Sequence, residues 1–166
     1  MNVILIGMPG SGKSTVGVLL AKAMLCHFVD TDLIIQAKHG KSLCEIIDEI
    51  GIDGFIETEN EILSMQEFDN TVVATGGSAV YGKEAMENLK QNGIVVYLKL
   101  PPEEIEHRVN NITTRGIAMP DGCTLKELYE QRAPLYEKYA DVTVDCTGNT
   151  VEQNVEAVKK AIHDIT

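Results

Sequence analysis

Gly7-Met8-Pro9-Gly10-Ser11-Gly12-Lys13-Ser14 is the stretch that decides the fold of this chain. It follows the pattern G-x-x-x-x-G-K-[ST] of a phosphate-binding loop, and its neighbours are of the required kinds. The apolar run Val3-Ile4-Leu5-Ile6 precedes it and a helical pattern over residues 15–25 follows. A loop that turns its backbone N–H groups inward around phosphate oxygens needs dihedrals that a side chain obstructs, so glycines stand at Gly7, Gly10 and Gly12. The positive end of the next helix faces the same anion. Lys13 brings a full charge to the β- and γ-phosphates, and Ser14 has a hydroxyl of the type that ligates Mg²⁺. Gly10, Ser11, Gly12, Lys13, Ser14 and Thr15 together are the expected triphosphate contacts.

Outward from the loop, residues 2–6 read as a central parallel strand covered on both faces. Val16, Leu19, Leu20 and Ala23 recur at helical spacing behind it, and His27-Phe28-Val29 is a second short strand ending in Asp30-Thr31-Asp32. Acids at the carboxyl end of a strand either meet a ligand there or cap the helix that begins near Leu33. That helix breaks at Gly40, and Ser42 with Glu45 forms a capping box for another whose inner face is Leu43, Ile46, Ile47 and Ile50. After Gly51 and Gly54 a separate helix is expected over residues 55–65, with Phe55, Ile56 and Ile62 inward. Residues 32–65 thus form a helical insertion suited to a second substrate.

The strand 71–74 runs into Thr75-Gly76-Gly77-Ser78, where the glycine pair marks either a turn or a close approach to ligand. A helix over 81–91, a strand over 94–100 stopped by Pro101-Pro102, and a helix over 103–109 follow. The polar loop 110–123, which carries Arg115, has the length and composition of a mobile lid. A helix over 125–139 bent at Pro134, a strand over 142–144 and a helix over 151–165 complete the pattern, the last with Val155, Val158 and Ile162 inward. Five strands alternating with helices specify an α/β three-layer fold with a five-stranded, mainly parallel sheet flanked by helices.

The 166 residues suffice for a single domain, 1–166, with a well-buried core. With 14 Lys+Arg against 25 Asp+Glu, the net charge of -11 repels a nucleic-acid backbone. No run approaches the ~18 apolar residues that span a bilayer, and Met1 leads straight into strand without a basic leader, so a cytoplasmic protein without a membrane partner is expected. Cys26, Cys44, Cys123 and Cys146 show no C-x-x-C pair, which argues against zinc and disulfides. The three arginines, Arg108, Arg115 and Arg132, all lie in the C-terminal half, and residues 42–82 hold no Lys or Arg.

A short chain with its phosphate loop near residue 1 and no large second domain favours phosphoryl transfer to a small acceptor. Over nearly its whole length the chain resembles shikimate kinase. The resemblance rests on the G-x-P-G-S-G-K-S-T loop, Asp30-Thr31-Asp32, Gly76-Gly77, Arg115 and Arg132-Ala133-Pro134-Leu135-Tyr136. It implies a P-loop kinase that uses ATP and Mg²⁺ to convert shikimate to shikimate 3-phosphate in aromatic amino acid biosynthesis; a monomer is expected, although the sequence does not itself give the oligomeric state. It assigns Ser14 and Asp30 to the metal, and Asp32 to positioning or deprotonating the attacking hydroxyl. Gly76 and Gly77 would line the acceptor pocket, and Arg132 would grip the acceptor's carboxylate. Arg115 would close over the phosphates and Arg108 would lie against the adenine.

The departures fall on the acceptor side. The family's arginine after the phenylalanine matching Phe55 is Ile56, followed by Glu57; its third glycine is Ser78; and the proline after the lid arginine is Gly116. Thr147-Gly148-Asn149 lacks the basic residue often found by the adenine. Losing one of two charge-assisted contacts to a carboxylate costs about 1.5–3 kcal/mol. Two other readings stand beside the first at this point. One is a kinase of the same fold for another small polyol or hydroxy acid; the other is a non-catalytic nucleotide-binding regulatory module.

Overall fold

In the computed structural model, which describes residues 1–108 and 116–166, Asn2–Ile6 forms β1, with all five residues buried. Four further strands share its sheet: β2 (His27–Asp30), β3 (Thr71–Ala74), β4 (Gly93–Lys99) and β5 (Val142–Asp145). Their order is β2-β3-β1-β4-β5 and every pairing is parallel, with Val3 opposite Val72 on one side and Ile94 on the other. Continuous apolar runs suit this arrangement, because parallel strands are covered on both faces.

The chain leaves β1 toward β2 and β3 on one side and later reaches β4 and β5 on the other. The strand order therefore reverses at β1, and the loops after β1, β2 and β3 meet at one edge where such folds place ligands. The helices are α1 (Lys13–Met24), α2 (Thr31–His39), α3 (Leu43–Ser64), α4 (Lys83–Gln91), α5 (Pro102–Arg108), α6 (Leu125–Tyr139) and α7 (Val151–Ile165). Helices α1 and α7 pack together against the sheet, while α4 and α6 cover β4.

The sheet and its helices share one large core. A second, smaller cluster joins Ile35 of α2 to Leu43, Ile46, Phe55 and Ile62 of α3, and Ala118 closes it. The helical insertion thus has its own core, and the chain just beyond the undescribed residues 109–115 docks on it.

Four local expectations change. Helix α1 begins two residues early, at Lys13, and its inner face is Val16, Gly17, Leu20 and Ala21, while Ala23 is exposed. The two helices expected on either side of Gly51 run as α3, kinked where Gly51 adopts φ 77 and ψ 173. Ile50 sits at that kink, packs over Gly54 and is 41% exposed rather than buried. Before α4 the chain makes a 3₁₀ turn over Ala79–Tyr81, and Gly82 separates the two. Pro134 stands inside α6, which continues to Tyr139. Among the described residues no helix is long and apolar enough to cross a membrane, and all four cysteines are free thiols.

Candidate active site

Gly12 is the N-cap of α1 at φ 93 and ψ 16, a left-handed conformation that a side chain would strain. This conformation lets the loop pass directly into the helix. The buried Lys13 ammonium donates to Gly7 O at 2.7 Å and Met8 O at 2.8 Å, so it lies along the loop it serves. Ser14 Oγ donates to Asp30 Oδ2 at 2.8 Å, and Asp32 N donates to Asp30 Oδ1 at 3.0 Å. Capping of α2 therefore falls to Asp30, which still presents an oxygen to Ser14. A hydroxyl beside a carboxylate is a hard oxygen pair that suits Mg²⁺, an ion that keeps most of its shell as water and substrate phosphate. Among the described residues no group of three or more His, Cys, Asp or Glu forms a fuller metal cage.

A cavity of about 510 Å³ extends from this loop across the edge of the sheet. Lys13, Ser14 and Arg108 line its end at the glycine-rich loop, and Asp32, Phe55, Gly76, Gly77 and Arg132 line the other. Burial, and then the neighbouring Asp30, push the Asp32 carboxyl up to about 6 against the pull of Lys13. The two glycines are what let these groups converge. A methyl on Gly76 would meet Asp32 Oδ1 at 2.8 Å, and one on Gly77 would meet Arg132 Nη1 and Pro9 Cδ, each at 2.8 Å.

Arg132 is 1% exposed, an unusual burial for a guanidinium. It donates through Nη2 to Ala118 O at 2.7 Å and through Nε to Tyr81 Oη at 3.4 Å, and it stacks 5.4 Å above the Tyr81 ring. One turn along α6, the Tyr136 hydroxyl donates to Gly77 O at 2.7 Å, which ties the helix to the cavity floor. Burial drives the Tyr136 phenol well above its ordinary value, so it stays a neutral donor.

The sequence matches the family profile described as shikimate kinase over residues 9–163. The chain belongs to the shikimate kinase family. It is 37% identical to a shikimate kinase of Thiobacillus denitrificans, over 98% of this chain and 88% of that protein. It is 38% identical to one of Francisella tularensis subsp. holarctica, over 95% of this chain and 92% of that one. Among solved structures, shikimate kinase from Acinetobacter baumannii in complex with shikimate superposes with a TM-score of 0.89 at 30% identity, covering 99% of this chain and 94% of that chain.

Within this shikimate kinase fold, Gly10, Gly12 to Thr15, Asp32, Gly76, Gly77, Arg108 and Arg132 line one cavity, Asp30 joins it through Ser14, and Ser11 is fully buried in the loop and off the lining. Arg115 lies outside the described residues. Arg108 is exposed, 3.8 Å from Glu104, with Nη1 3.9 Å from a methyl built on Gly12, so it stands over the phosphate loop. Ile56 is half-buried and off the cavity lining, and Glu57 is exposed and also off it. Gly116 takes φ 68, and a methyl there would meet Leu43 Cβ at 2.5 Å. A proline, locked near φ -65°, cannot adopt that conformation.

Sequence reasoning missed three residues near this site: Tyr81 and Ala118, which hold Arg132, and Glu59. For Glu59 a signal was present. Phe55, Glu59 and Ile62 are spaced as one face of a helix, which marks the acid as buried. Nothing in the sequence separates Tyr81 or Ala118 from ordinary turn and loop residues.

Proposed function

We infer that this chain is a small-molecule kinase that transfers a phosphoryl group from ATP to a hydroxyl of shikimate. The observation that carries the reading is the buried Arg132 facing Asp32 across Gly76-Gly77, in the same cavity as an intact phosphate loop. A fixed guanidinium suits a carboxylate, and a carboxylate held near the transferring phosphoryl group suits a hydroxyl. Such chemistry needs little covalent work from the protein and depends on in-line positioning and charge neutralisation.

In this reading Lys13 and the N–H groups of residues 10–15 hold the β- and γ-phosphates. Asp32 orients the attacking hydroxyl and takes its proton as the new P–O bond forms and the bond to the β-phosphate oxygen breaks. Its raised affinity for protons makes it a better acceptor than an exposed aspartate. Ser14 and Asp30 are the proposed Mg²⁺ contacts, and the ion when bound supplies charge neutralisation at the phosphate oxygens. Arg108 borders the nucleotide, and Arg115 is the proposed cation that closes over the transferring group.

One observation favours a second acceptor class. With Ile56 in place of the family arginine, Arg132 is the single guanidinium at the acceptor end among the described residues. A kinase for another small hydroxy acid would also fit that arrangement. A coupled ADP-release assay with ATP, Mg²⁺ and a panel of hydroxylated acids decides between them. A micromolar-range KM for shikimate supports the first reading. No turnover at millimolar shikimate, with another acceptor preferred, replaces it by the second. ATP binding without acceptor-stimulated ADP release would point instead to a regulatory module.

A further inference from the structure

Glu59 is a buried ionisable group that the proposed mechanism does not use. It stands on the inner face of α3, 1% exposed, behind the cavity floor. Its Oε1 accepts from Ser78 Oγ at 2.6 Å, while its Oε2 is buried with no hydrogen-bond partner. The methyl position on Gly76 that lies 2.8 Å from Asp32 Oδ1 lies 3.1 Å from this same Glu59 Oε2. Two carboxyls therefore flank one glycine of the cavity lining, Asp32 on the cavity side and Glu59 behind it.

The groups facing Glu59 are Ser78 from the floor, Asp32 from α2, Lys13 from α1, and Arg132 and Tyr136 from α6. Arg132 is engaged by Ala118 O and Tyr81, and among the described residues Glu59 has no ion pair. A buried carboxylate with one orphaned oxygen and a second carboxylate beside it is strongly disfavoured in the ionised form. Burial is the largest influence and carries the group up to about 7.

We propose that Glu59 is a positioning residue of the acceptor pocket: a carboxyl kept protonated beneath the Gly76–Ser78 floor and tethered by Ser78, so that the pocket presents one negative charge to an acidic acceptor and not two. This rests on the shikimate reading above. Ser78, which replaces a family glycine, is the residue that holds the acid in this rotamer. The donor hydrogen bond from Ser78 also eases ionisation of Glu59, so the pair sets where acceptor binding weakens with rising pH.

The test uses the full chain with ATP and Mg²⁺, comparing wild type, Glu59→Gln and Ser78→Ala. Shikimate KM should rise roughly tenfold between pH 6.5 and 8.5 in wild type, the size expected for one added charge in a partly screened site, with kcat little changed. Glu59→Gln, permanently neutral, should keep a flat KM, and Ser78→Ala should move the rise to higher pH. In parallel, ¹³C NMR of the glutamate carboxyls should show one group titrating near neutrality that is absent from Glu59→Gln and shifted upward in Ser78→Ala. A wild-type KM as flat as that of Glu59→Gln overturns the proposal, as does a Glu59 titration in the ordinary carboxylate range. Should shikimate not be turned over at pH 6.5, the acceptor assignment has failed. Glu59 is then judged on its titration alone, where a value near neutrality that rises in Ser78→Ala upholds the protonated tether.

Discussion

At the scale of single residues, adjacent acids are divided by what each bonds. Asp30 spends one oxygen on the Asp32 backbone N–H and the other on Ser14, while burial beside Asp30 gives Asp32 its raised proton affinity. Asp32→Asn keeps the shape and removes the base, so kcat should fall by about 10²–10⁴ while the KM for ATP holds, read in the ADP-release assay. Ile56 tests the acceptor end in the opposite direction. It precedes Glu59 by three residues on α3, the spacing at which helical side chains meet. Ile56→Arg sets a second cation beside Glu59 and one side-chain length from the cavity, and shikimate KM should drop by at most about ten- to a hundredfold, the worth of one charge-assisted contact, because part of the new charge goes to ionising Glu59. An unchanged KM would mean that the pocket is built for a different acid.

At the scale of elements, α3 is the part whose form depends on one backbone angle. Gly51 holds φ 77 inside it, with nothing within 4 Å of the position a methyl would occupy. Only conformational strain opposes a side chain there. Gly51→Ala should therefore destabilise the protein by about 1–3 kcal/mol and lower Tm by about 2–4 °C for each kcal/mol, without changing the KM for ATP, as checked by thermal unfolding and initial rates. The kink divides α3 into a half that packs Leu43 and Ile46 against α2 and a half that carries Phe55 to the cavity and Glu59 behind its floor. Helix α6 does the corresponding work from the other side, placing Arg132 and Tyr136 one turn apart on the Gly76–Gly77 floor.

At the scale of the whole molecule, burial of Glu59 behind the cavity floor makes stability depend on pH. Glu59 binds its proton more tightly folded than unfolded, so its favourable contribution is full below its ordinary value of 4.5 and is lost as pH rises through about 7. Glu59→Gln lacks that loss. Its stability relative to wild type should grow by about 2 kcal/mol between pH 5 and pH 8, measured by urea unfolding at each pH. Local pattern was enough to determine the sheet, the phosphate loop, the capping of α3 and the α7 face, because each depends on residues a few positions apart. Ile50 and Ala23 are exposed because a helical period admits more than one inner face: Gly17 and Ala21 turn inward in place of Ala23, and Gly51 kinks α3 just after Ile50. The family departure at Ile56 was also plain in the sequence, as was the absence of a nearby cation to replace it. Only the tertiary structure decided that Asp30 caps while Asp32 faces the cavity, that Glu57 points away, and that Ser78 meets Glu59 nineteen residues distant in sequence. Those outcomes depend on which loops the parallel sheet brings to one edge. Proton affinity and charge balance are set there by burial and through-space neighbours, and a linear sequence contains neither.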